Sequence, residues 1–175
     1  MSTLHVENLK GPTSGANANK IIVPSGQTLT APGHVIQIQN VTHNGASNST
    51  TSTSFVDTGL SLSITPNFAT SKIVVMVHQV ASMQGSSRTR CDFRCIESNS
   101  STEVYRMDYH GTDSAVTNTQ RNLSGSGVFQ CSNTNQLTFK TQIQKANSTS
   151  NEVGNIYYDW YTESKLTMIA MEIAQ

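Results

Sequence analysis

Successive segments of this chain alternate apolar and polar side chains with a period of two, and no convincing segment carries the 3.6-residue period of an amphipathic helix. Such a chain buries its apolar residues by pairing strands into layers and turning the apolar faces onto one another. The strongest segment is Lys72–Val80, where Ile73, Val75 and Val77 point one way and Val74, Met76 and His78 the other. Both faces are largely apolar, which predicts a central strand. Lys165–Ile173 reads the same way, with Ile169, Met171 and Ile173 on one face and Leu166, Met168 and Ala170 on the other. In Gln136–Lys145, Leu137, Phe139 and Ile143 alternate with Thr138, Lys140, Gln142 and Gln144, the pattern of a half-buried strand. Leu60–Thr65, Thr89–Ile96, Thr102–Tyr109 and Gly127–Cys131 complete the series. Strands at this spacing, with long polar loops, predict an all-β fold: an antiparallel, jelly-roll-like β-sandwich.

The first 45 residues differ from the rest. Leu4, Val6 and Leu9 form a short apolar pattern, followed by the breaker Gly11-Pro12-Thr13-Ser14-Gly15. Lys20–Val23 and His34–Val41 read as strands, separated by the corners Pro24-Ser25-Gly26 and Ala31-Pro32-Gly33. Corners this close suit a narrow neck. Residues 1–45 are therefore expected to form an N-terminal anchor and neck, and residues 46–175 a sandwich head. Asn44–Ser54, almost wholly small and polar, reads equally as a linker or as a surface loop within one domain.

Composition narrows the function. Ser, Thr and Asn make up about a third of the chain, charged residues 13%, and the net charge is zero. Disordered chains combine low hydrophobicity with high net charge, which is not the case here. Nucleic-acid binding needs clustered Lys and Arg. The tightest group, Arg88, Arg90 and Arg94, shares its strand face with Asp92 and reads as a solvated face. There is no run of 18 apolar residues, so no membrane span is expected, and the N-terminus lacks the pattern of a signal peptide. Cys91, Cys95 and Cys131 are an odd set for a disulfide framework and lack a second pair for zinc. Cys91 and Cys95 share a strand face with Phe93 and read as small buried hydrophobes, which fits assembly in a reducing cytoplasm.

Three stretches carry a resemblance. They are Ser2–Leu9 leading into Ile22-Val23-Pro24-Ser25-Gly26 and Ala31–Gln37; Thr53–Pro66 with Ser71–Val75; and Ser164–Ile173. Together they resemble structural, tail-fibre-like virion proteins of marine tailed bacteriophages. The resemblance covers the start, the first strands of the C-terminal part and the last strand; residues 80–155 match only in style. It implies an N-terminal attachment segment carried by Leu4, Val6 and Leu9, and a head similar to the TNF-like jelly roll, usually trimeric.

No catalytic constellation is legible. The five histidines are scattered, no Gly-x-Ser-x-Gly elbow or phosphate loop is present, and the eleven acids show no pairing of the kind glycosidic cleavage needs. Neither enzyme activity nor a cofactor nor a metal is expected. Asp108-Tyr109-His110 and Asp159 could ligate an ion on a trimer axis, but a solvated or hydrogen-bonded role is the plainer reading. The densest aromatic cluster is Tyr157-Tyr158-Asp159-Trp160-Tyr161. Tyr157, Tyr158, Trp160 and Tyr161 read either as core or subunit-interface residues or as ligand contacts. The expectation is a virion protein assembled in the host cytoplasm, a homotrimeric fibre or spike. It would join other virion proteins through its N-terminus and present its head to a host-surface glycan or protein. The alternatives are a capsid decoration, cement or head-fibre protein and, third, a secreted carbohydrate-binding module.

Overall fold

The computed structural model describes residues 10–16, 18, 22–25, 31–44, 48–85, 90–110, 116–146, 154–158 and 165–175. The strands are β1 (Val35–Asn44), β2 (Asn48–Thr50), β3 (Val56–Ile64), β4 (Lys72–His78), β5 (Val80–Gly85), β6 (Arg90–Glu97), β7 (Thr102–His110), β8 (Val116–Asn122), β9 (Gly125–Gln130), β10 (Leu137–Lys145), β11 (Gly154–Tyr158) and β12 (Lys165–Ile173). They pair in the orders β1-β12-β4-β9, β2-β11-β5-β8 and β3-β10-β6-β7, every pair antiparallel.

The first two sets are successive halves of one layer. β2 follows β1, β5 follows β4, β9 follows β8 and β12 follows β11, and the neighbours keep the same order in both halves. Counting each such pair as one interrupted strand leaves eight strands. The first, eighth, third and sixth form one layer, and the second, seventh, fourth and fifth form the other. This is the jelly roll, two four-stranded antiparallel layers built from Greek-key connections.

Both layers are interrupted at one level, around a buried polar node. Gln79, between β4 and β5, is fully buried, and its carbonyl accepts from the Leu123 amide at 2.6 Å. In the facing layer Gly59 sits at φ +90°, a conformation that favours glycine, and the β3–β10 register shifts between Lys140 and Gln142. The Thr58 and Thr141 hydroxyls bond to each other, and Thr58 also donates to the Gln79 side chain at 3.4 Å. Above and below the node the core is apolar. Phe93, Phe139, Leu60, Ile64, Ile73, Ile143, Leu166 and Met168 are all fully buried. Phe139 meets Phe129 edge-on with centroids 5.7 Å apart.

Several expectations change. The strand expected in the neck, His34–Val41, is the start of β1, which pairs with β12 from Val35 to Asn44. Val35–Asn44 is thus an edge strand of that layer, at the end of its order and paired with β12. The Asn44–Ser54 segment contains β2 and connects strands within the sandwich. Of Lys20–Val23, residues 22 and 23 are described; they are exposed and not in a strand. Leu4, Val6 and Leu9 lie outside the described residues. β4 and β12 are central as expected, but their second faces are not buried: Met76 is 45% exposed, and Val74, Ile169 and Met171 are half-buried. A jelly-roll layer has only one neighbour, so one face of each central strand must look outward.

Candidate functional site

The outward faces of the two layers differ in chemistry, and that difference is the most informative surface feature. On the β3-β10-β6-β7 layer, register brings Asp57, Gln142, Arg94 and Arg106 into one row across all four strands. The row is closed by hydrogen bonds. Gln142 donates to Asp57 Oδ1 at 2.7 Å, and Arg94 Nε donates to Gln142 Oε1 at 2.9 Å. Lys140 pairs with Asp57 at 2.9 Å, and Glu103 with Arg106 at 3.2 Å and Arg94 at 3.7 Å. The Arg94 guanidinium stacks on Phe55, 3.8 Å from the ring centroid. Burial pushes the Asp57 carboxyl up, but the bonds from Gln142 and Lys140 and the Lys140 charge outweigh it and hold it below its ordinary value. Arg90, Asp92 and Arg94 alternate with buried Cys91, Phe93 and Cys95, as the sequence pattern predicts.

The corresponding row on the other layer is Ile38, Met171, Val74 and Val128, again spanning four strands. Ile38 is 58% and Val128 59% exposed. Met76 and Ile169 lie in the next row and Val35 and Ile173 at the margin. Lys72 stands at one margin of this face, and Lys165, opposite Asn44, continues the same alternation at the far end of β12. Beside Met76 and Ile169 a hollow of about 470 Å³ is lined also by His78, Ser124, Ser126 and Thr167. His78 Nδ1 lies 2.8 Å from Ser124 Oγ at its rim.

One end of the sandwich is held by two buried carboxylates. Glu172 accepts from the Asn67 amide at 2.7 Å, the Asn67 side chain at 2.7 Å, the Phe68 amide at 3.2 Å and the Ser71 hydroxyl at 2.7 Å. Glu97 accepts from the amides of Asn99, Ser100 and Thr138 and from the Ser100 hydroxyl. Burial raises the Glu97 pKa, and these four bonds outweigh it, leaving the carboxyl below its ordinary value. Both acids are saturated by turn backbone and small polar side chains, so they organise loops. A smaller hollow of about 260 Å³ lies beside Glu97, lined by Asn99, Ser100, Phe129, Asn133 and Gln136 among others.

The aromatic cluster is only partly described. Tyr157 and Tyr158 lie in β11, opposite Ser49 and Asn48 on one side and Ser82 and Ala81 on the other. Trp160, Tyr161 and Asp159 lie outside the described residues. Around Asp108-Tyr109-His110, the Arg121 guanidinium bonds to the Tyr109 hydroxyl and stacks on its ring at 5.1 Å. Among the described residues no three His, Cys, Asp or Glu side chains gather to hold a metal, and no helix is long and apolar enough to cross a membrane. Cys91, Cys95 and Cys131 are free thiols and buried.

No protein-family model and no curated protein matches the sequence. Solved structures do match. The D431N mutant VP2 protein of infectious bursal disease virus, from derived T=1 particles, aligns over 93% of this chain at 14% identity and TM-score 0.41. The T13 particle of the same virus aligns over 89% at 14% identity and TM-score 0.43. Dimeric latent PorU from Porphyromonas gingivalis aligns over 90% at 12% identity and TM-score 0.38. The likeness is of fold alone. This chain spans 44%, 39% and 15% of those chains respectively.

Sequence reasoning missed the apolar row. Each of its members was legible as a strand residue, but their alignment depends on cross-strand register. It also placed the start of β9 two residues late, at Gly127 rather than Gly125. A Cβ at Gly127 would collide with the Val104 carbonyl, and one at Gly125 with the Tyr105 ring. The glycines let β7 and β9, outer strands of opposite layers, approach each other.

Proposed function

We propose that this chain is a structural protein of a virus particle: a short trimeric fibre or spike, joined to the particle by its N-terminal segment and presenting the jelly-roll head to the host surface. The observation that carries a structural role is the contrast between the two outward faces. One is a closed polar web suited to water, and the other a four-strand apolar row suited to burial in an assembly. The resemblance of the N-terminal, Thr53–Val75 and C-terminal stretches to phage virion proteins supports the particle as the setting.

The experiment is deletion of the chain from its virus. Particles lacking it are expected to assemble and to adsorb poorly to host cells, with adsorption restored by the supplied protein. Normal adsorption together with fragile particles would instead identify a capsid cement or decoration protein, the second reading, which the same apolar face favours equally. Absence of the chain from purified wild-type particles would refute both.

A further inference from the structure

We infer that the outward face of the β1-β12-β4-β9 layer, centred on Ile38, Met171, Val74 and Val128, is the surface on which a second copy of this chain docks. The inference deepens the trimer reading and rests on it only for the number of copies, since it names the contact itself.

Three observations favour a copy of the same chain over another occupant. First, among the described residues, four of the seven large apolar side chains found exposed, Val35, Ile38, Met76 and Val128, lie on this one face. They are contiguous with half-buried Val74, Ile169, Met171 and Ile173. Second, the face is nearly uncharged. Lys72 stands at one margin and Lys165 follows the same alternation at the far end, and the row next to the central one is Asn40, Ile169, Met76 and Ser126. A face whose centre is free of charge has little to attract a strongly acidic or basic partner and little to repel its own copy, and the chain as a whole has net charge zero. Third, the size fits. Four strands about 4.8 Å apart and about 24 Å long present roughly 450 Å² in flat projection. Two such faces packed together would bury about 900 Å², close to the roughly 1,000 Å² that separates specific interfaces from incidental contacts, and around a three-fold axis each face would be shared between its two neighbours. The N-terminal segment of the same chain is the competing cover. Its described apolar residues Ile22 and Val23 are 57% and 39% exposed, so these two do not seal the face.

The geometry also tells which side faces out. With this layer inward, the Asp57–Gln142–Arg94–Arg106 web of the opposite layer becomes the solvent-facing wall. A cyclic assembly built this way buries an apolar centre and leaves a polar exterior.

The test is light scattering of the full chain at micromolar concentration. It is paired with mass-spectrometric measurement of Met76 oxidation by dilute peroxide. Wild type is compared with the double variant Ile38→Glu/Val128→Glu and with Ser63→Glu on the opposite face. Positions 38 and 128 are exposed, so the double variant should fold, and circular dichroism checks this. If it does not fold, the single variant Val128→Thr takes its place, read by the same two measurements. Wild type and Ser63→Glu are expected as multimers of the 19.0 kDa chain with slow Met76 oxidation. The double variant should associate at least tenfold more weakly, with Met76 oxidised several-fold faster. A folded double variant that keeps the wild-type mass would overturn the assignment of this face while leaving a trimer intact. A wild-type monomer with Met76 freely oxidised would overturn the assignment and the trimer together. A wild-type monomer with Met76 protected would assign the face to the chain's own N-terminal segment and overturn docking of a copy. In each of these cases the virion role is judged separately, by co-purification with particles.

Discussion

The Tyr105 hydroxyl donates to the Ser124 carbonyl at 3.0 Å, joining β7 of one layer to the start of β9 in the other. The ring fills the space that a side chain at position 125 would occupy, and Val104 does the same at 127. A jelly roll has open edges where its layers end, and here one edge is drawn together by side-chain-free backbone on β9. Gly127→Val is therefore expected to cost about 1–3 kcal/mol or more, since the obstructing atom is backbone and can yield only by moving β7. Urea denaturation of the variant checks this; an unchanged midpoint would contradict the close approach.

Gly59 holds φ +90° with open space around its missing Cβ. The penalty for replacement is thus conformational rather than steric. Gly59→Ala is expected to lose roughly 1–3 kcal/mol, and Gly59→Asn less, since Asn tolerates positive φ better. Thermal melts of both variants give the order.

Glu97 titrates below its ordinary value in the folded chain because four donors surround it. A depressed folded pKa gives stability that is fully present above the unfolded value and is lost as pH falls through the folded one. Wild type should therefore weaken below about pH 4.3. Glu97→Gln should be less stable at pH 7 by roughly 1–3 kcal/mol, and the gap between the two should narrow toward pH 3. Urea midpoints measured from pH 7 to pH 3 test both statements; parallel curves would assign the acid sensitivity elsewhere.

Burial pushes the Cys91 and Cys95 thiols up to about 12 and raises Cys131 as well. A thiolate is the reactive form, so all three should resist iodoacetamide at pH 8 in the native protein and react fully in urea. Mass spectrometry counts the adducts.

The fold was legible where residues carry their own evidence. Lys72–Val80, Gln136–Lys145 and Lys165–Ile173 alternate β-branched and apolar residues strongly enough to name themselves, and β4, β10 and β12 lie there. β8 was missed because Thr117-Asn118-Thr119-Gln120 has no apolar alternation; its place depends on pairing with β5. Gly125 and Ser126 fell outside the expected strand because glycine's usual meaning is a turn, whereas its role here is set by Val104 and Tyr105, some twenty residues away. The apolar second faces of β4 and β12 marked both strands as central, which they are, but they do not say what covers those faces. The polar row and the apolar row are both products of register, which no segment states on its own.

The measurement that tests the central claim most directly is a cryo-electron microscopy reconstruction of the particle that carries this chain. It should show copies of the jelly roll grouped around an axis, with Ile38, Met171, Val74 and Val128 turned toward one another and Arg94 and Arg106 facing solvent. Particles without this density, or copies whose Ile38–Val128 face is bare to solvent, would contradict it.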